Sequence, residues 1–147
     1  MTYGGQPPLQ VLEMLTKDDI ESFLVRLSAT GASYNEVEPG FWIIRPSAES
    51  ELSIAVNFSP PVLLLRIDVM TLPPEAAHMA TLTRRLLELN ASDLLHGSYG
   101  IQDEHVVLTE ALELSALDYE EFLATYESMT LSLASHLREL GTFREAR

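Results

Sequence analysis

"ELSIAVNFSPPVLLLRIDVMTL", residues 51–72, is the stretch that decides the fold. Leu52, Ile54, Val56 and Phe58 alternate with Ser53, Ala55, Asn57 and Ser59, the period of two expected of a half-buried strand. Pro60-Pro61 ends that run. The alternation then resumes, with Leu63, Leu65, Ile67 and Val69 on one face and Leu64, Arg66, Asp68 and Met70 on the other. Two neighbouring strands that both alternate predict an antiparallel sheet with one buried face.

Upstream, "SYNEVEPGFWIIRPS" (33–47) has strand chemistry interrupted by Pro39-Gly40, so Tyr34–Glu38 and Phe41–Arg45 form either a bent strand or a tight hairpin. Before it, Thr16 caps a helix whose Ile20, Phe23, Leu24 and Leu27 fall on one stripe and which Gly31 can end. Residues 9–16 carry Leu9, Leu12 and Leu15, too short a run to decide between helix and strand, and residues 1–8 read as a loose tail.

Downstream, Pro74 opens a helix over 74–90 with Leu82, Leu86 and Leu89 as its stripe. "LHGSYGIQDEHVVL" (95–108) then alternates around Asp103-Glu104 and reads as a hairpin. A last helix over about 118–140 is capped by Asp118, with Glu121 as capping-box partner and Phe122, Tyr126, Met129, Leu133, Leu137 and Leu140 on one face. The expected fold is α+β: a twisted antiparallel sheet of about five strands with three helices, in the order α-β-β-β-α-β-β-α, forming one domain over 9–147.

Composition narrows the function. The 147 residues contain no cysteine, which removes disulfide scaffolds, thiolate zinc sites and cysteine nucleophiles. No basic-then-apolar leader opens the sequence, and no apolar run approaches the length of a membrane span, so a cytoplasmic protein is expected. The net charge of -13 disfavours direct binding to nucleic acid or anionic membrane. Ten acids and no Lys or Arg lie between Arg85 and Arg138, a field suited to a basic protein partner.

Catalytic sets are missing from the pattern. Gly97-Ser98-Tyr99-Gly100 lacks the spacing of a nucleophile elbow, and no helix follows it. Of the four histidines, His78 and His136 read as helix-surface residues. His96 and His105 flank the hairpin and, with Glu104, form half of a divalent-metal set; a small metal-dependent or ligand-sensing protein is therefore the alternative reading. The main reading needs no cofactor and no metal. Arg84-Arg85 is expected to pair with Glu88 on the same helix.

Two surfaces stand out. In "FWII", Phe41 and Ile43 cannot share a sheet face with Trp42 and Ile44, so one pair leaves the core. With Phe41 and Ile43 outward, Leu64 and Met70 join them in an exposed apolar patch of the kind that marks a partner site. On the 74–90 helix, Met79, Leu82, Leu86 and Leu89 offer more apolar surface than one sheet edge needs, which makes them candidates for a dimer interface.

The element order, the size, the acidity and the run "LNASDLLHGSYGIQDEHVVLTEALELSALDYEEF" (89–122) resemble the YbjN-like proteins, which share the fold of type III secretion chaperones. The resemblance rests on Leu89-Asn90, Gly100, Asp103-Glu104, Val106–Leu108 and Leu117–Phe122, and it spans about residues 16–140. It implies a non-enzymatic acidic homodimer that holds or regulates a protein client. A basic client, such as a nucleic-acid-binding or stress-response protein, fits the charge. The resemblance transfers no active-site residue.

Overall fold

A computed structural model gives the structure and describes residues 14–144. The tail over 1–8 and the run over 9–13 lie outside the described residues. Helix α1 spans Lys17–Ser28, β1 Ser33–Glu38, β2 Phe41–Arg45, β3 Ile54–Ser59, β4 Val62–Thr71, α2 Ala76–Ser92, β5 Ser98–Gln102, β6 His105–Glu113 and α3 Tyr119–Arg144. The strands form one sheet in the order β1-β2-β3-β4-β6-β5, and every neighbouring pair is antiparallel.

Among the described residues the sheet has six strands rather than about five, because Pro39-Gly40 closes a true hairpin. Gly40 takes φ +80, a left-handed conformation that only glycine adopts without penalty, and its N–H donates to the Glu36 carboxylate at 3.0 Å. At the other expected hairpin, Asp103 and Glu104 both take positive φ and pair Gln102 with His105, the geometry of a two-residue turn.

The helix signals hold with small shifts at the ends. Thr16 caps α1 through a reciprocal box: the Asp19 N–H donates to the Thr16 hydroxyl, and the Thr16 N–H donates to the Asp19 carboxylate at 2.8 Å. Asp118 accepts the Glu121 N–H at 2.8 Å before α3. Glu75, not Pro74, is the residue that precedes α2. Helix α3 runs through Gly141 to Arg144, because Leu140 is buried and Phe143 packs against the core, which holds the last turn in place.

The three helices of the described residues contribute to the same core as one face of the sheet. Trp42, Ile44, Ile54, Val56, Leu63, Leu65 and Ile67 face Ile20, Leu24 and Leu27 of α1, Leu82, Leu86 and Leu89 of α2, and Phe122, Met129, Leu133 and Leu140 of α3. Each such side chain contributes roughly 1.5–3 kcal/mol by leaving water. The Arg26 guanidinium lies 3.9 Å from the centre of the Tyr119 ring and ties α1 to α3. Gly97 makes the passage from α2 into β5 possible: at φ +86, a Cβ there would meet Leu108 Cδ1 at 3.2 Å and Met129 Cγ at 3.4 Å.

Candidate functional site

The outer face of the sheet follows from the register. Trp42 and Ile44 are buried on the inner side, so Phe41 and Ile43 point outward, half-exposed. Phe41 pairs with Asn57, Asn57 with Leu64, and Leu64 with Ala111; one row beyond, Ile43, Ala55, Arg66 and Thr109 are aligned in the same way. These rows line a trough of about 500 Å³ that includes Phe41, Ala55, Asn57, Leu64, Arg66, Thr109 and Ala111. Small floor residues between larger apolar walls leave a concave surface open to solvent, and Leu64 is 39% exposed within it.

Phe41, Ile43 and Leu64 therefore stand together on this face, but Met70 does not. A bulge between Asp68 and Met70 inserts Val69, so that Asp68 pairs with Val107 while Met70 pairs with Val106. The extra residue reverses the alternation, and Met70 turns into the core at 6% exposure. The expectation of an outward Met70 is corrected by that single insertion. At the same end of the trough, Arg66 donates to the Gln102 side chain at 2.9 Å and approaches Asp68 at 3.5 Å. That bridge passes from β4 to β5 over β6. It explains why Val107, outward by register, is buried without joining the core cluster.

The stripe of α2 is also corrected. Leu82, Leu86 and Leu89 are buried in the core of their own chain, so they do not offer an exposed dimer face; Met79 is half-buried. Outward on α2 stand Ala80, Arg84, Leu87, Glu88 and Ala91, which line a shallow groove. Arg84 and Arg85 both pair with Glu88, as the spacing predicts, and Arg85 also reaches Glu139 on α3, a link between helices that spacing along one helix does not reveal.

His96 and His105 do not meet. His105 pairs with Gln102 beside the turn, whereas His96 precedes β5 at the far end of the hairpin, about 20 Å away at ~3.3 Å per residue. The reason is register: the two-residue turn sets Ser98 against Thr109 and leaves His96 beyond the paired region. Among the described residues no group of three His, Asp or Glu side chains is placed to hold a metal ion. A cleft of about 810 Å³ lies at the end of α3 beside the bulge; its Asp68 and Arg144 bring opposite charges, with His105 beside them, and no convergent set.

His136 is not a surface residue. It is 5% exposed, with Nδ1 2.7 Å from the Tyr99 hydroxyl and Nε2 3.2 Å from the Asp93 carboxylate. Asn90 completes this junction: its side-chain amide donates to the Tyr99 carbonyl at 3.1 Å, and its side-chain oxygen accepts the Tyr99 N–H at 2.7 Å. Asn90 thus pairs with the outer backbone of β5 as a neighbouring strand would. The signal for His136 was present in the sequence, since it falls between Leu133 and Leu140 on the buried stripe.

This junction has a pH signature. Burial, reinforced by the Asp93 and Glu139 carboxylates, raises Tyr99 well above its ordinary value of 10.0, and burial also raises Tyr126. A raised folded value means that the stability these groups contribute is present below the unfolded value and lost as pH rises above it. Urea unfolding from about pH 9 to about pH 11 is expected to show stability falling above about pH 10, with a slope that approaches roughly 1.4 kcal/mol per pH unit for Tyr99. Tyr99→Phe should remove its share of that slope.

Comparison with known proteins shows the fold and the family. The chain superposes on a chain of the heterodimeric ExoU–SpcU complex from the type III secretion system of Pseudomonas aeruginosa, at a TM-score of 0.61 and 13% identity, over 86% of this chain and 98% of that one. YbjN from E. coli gives a TM-score of 0.61 at 14% identity, over 86% and 94% of the two chains. The Yersinia pestis type III secretion chaperone SycH, in complex with a stable fragment of YscM2, gives 0.54 at 12% identity, over 87% and 98%. No curated protein matches the chain. The sequence profile of CesT_Tir_1 matches residues 13–146, nearly the whole chain, and the protein belongs to that family of type III secretion chaperones.

Proposed function

We propose that this protein is a non-enzymatic, chaperone-like module, cytoplasmic and of a single domain, that binds a protein client on the outer face of its sheet. The observation that carries the reading is the trough. Phe41, Ile43 and Leu64 gather on a sheet face that carries none of the described helices, and apolar surface of that kind usually serves a partner. The family supports the reading, as do similar folds solved in complexes with other proteins. The net charge of -13 favours a basic client and steers it in a salt-dependent way.

Affinity capture from the native cell at low and high salt tests this. One basic protein retained at low salt and released at high salt is the expected result; a purified chain that retains no specific protein at either salt overturns it.

A homodimer is the second part of the proposal, now on the outward side of α2 with Met79 at its margin. Leu87, 68% exposed, stands between Ala80 and Ala91. In an antiparallel second copy Arg84 of each chain faces Glu88 of the other, a self-complementary pattern. Light scattering should show a dimer that Leu87→Glu converts to a folded monomer; a wild-type monomer would contradict it.

A further inference from the structure

We propose that the trough on the outer face is filled, in the free protein, by this chain's own residues 9–12, which a client must displace. The inference rests on the protein-binding reading above and adds a built-in competitor to it. The register defines the groove. Strand β3 is its floor, with Ala55 between Ile43 and Arg66 and Asn57 between Phe41 and Leu64. The walls stand on β2 and β4, two strand spacings or about 10 Å apart, which leaves room for one extended segment. The described helices pack on the inner face and leave this one uncovered.

The chain enters the described fold at the mouth of the groove. Met14 bridges Ser115 in antiparallel fashion, and the Leu15 N–H donates to the Leu114 carbonyl at 3.1 Å. The Leu114 N–H donates in turn to the Pro61 carbonyl at 3.0 Å, in the turn between β3 and β4. Ser115 lies four residues beyond Ala111, which pairs with Leu64, so Met14 stands about 13 Å along the strands from the row of Phe41, Asn57 and Leu64. Extended chain covers about 10 Å from Met14 to Val11 and about 17 Å from Met14 to Leu9. The two apolar residues are therefore within reach of the row, and they are two positions apart, as Phe41 and Ile43 are. Residues 1–12 carry no charged side chain to keep them in water.

Tethering supplies the affinity. A segment joined to its site by a short linker meets it at an effective concentration on the order of 1 mM, so a free-peptide Kd of only about 0.1 mM fills the site roughly tenfold over empty. A client then binds about tenfold more weakly than it would bind an empty trough.

The test uses the full-length chain and a labelled synthetic peptide of residues 1–13, followed by fluorescence anisotropy. The peptide should bind the full-length variant Leu9→Glu/Val11→Glu about tenfold more tightly than the wild type, whose trough is already filled. Adding Leu64→Glu to that variant should abolish binding. The wild type should bind the native peptide weakly and a peptide carrying the same two glutamates not at all. Equal binding of the native peptide to both chains, no binding to either, or binding that survives Leu64→Glu overturns the inference. A native partner that is captured by the wild type and lost in Leu64→Glu, while the peptide binds neither chain, overturns this inference alone. Capture of no partner by the wild type or by Leu9→Glu/Val11→Glu overturns the protein-binding reading as well.

Discussion

Leu82→Ala is expected to lower the unfolding free energy by about 2–5 kcal/mol and to leave the association state of the folded protein unchanged. Leu82 is fully buried between α2 and the sheet, so truncation leaves a cavity rather than a weakened surface. The spread reflects how far the neighbours can relax into the space. Leu86→Ala and Leu89→Ala should behave alike, since both side chains belong to the same core. Denaturant unfolding monitored with light scattering separates the two roles of α2. A fall in stability with unchanged mass places the stripe in the core; a change of mass with little loss of stability would return it to an interface.

Asn90→Ala is expected to cost about 1–3 kcal/mol and to promote self-association at high protein concentration. Two hydrogen bonds disappear together, and the outward N–H and C=O of Tyr99 lose their partners. Strand β5 is an edge of the sheet, and among its residues Ile101 is already 51% exposed. An edge with unpaired backbone groups and an apolar side chain recruits other strands. Asn90→Asp should retain the bond from the Tyr99 N–H and recover part of the loss. Thermal melts at two concentrations check both effects. Full stability in Asn90→Ala would show that water replaces the amide without penalty.

The strands and helices were largely legible because each is amphipathic with a clean period. Leu63, Leu65 and Ile67 announced β4, and Phe122, Met129 and Leu133 announced α3. A pattern of period two does not reveal where an extra residue enters, and the bulge at Val69 moved Met70 from one face to the other. Nor does an apolar stripe state what covers it. Leu82, Leu86 and Leu89 looked surplus because the sequence did not show that α2 shares one core with α1, α3 and the sheet. Polar junctions between distant segments were the least legible. The Arg85–Glu139 pair and the Asn90, Tyr99 and His136 junction join residues whose proximity is decided by the fold, although the buried phase of His136 within α3 was readable. Three of the four residues read as a partner patch, Phe41, Ile43 and Leu64, share the outer face because that grouping needed only local alternation and two correct turns.

The measurement that tests the central claim most directly is parallel affinity capture with the wild type, Leu64→Glu and Leu131→Glu. Leu131 is 70% exposed on α3 and provides an apolar surface control on the helical side. The account predicts that Leu64→Glu loses the captured protein while Leu131→Glu retains it, with both variants folded. Retention by Leu64→Glu and loss by Leu131→Glu would place the partner on the helices and contradict the account.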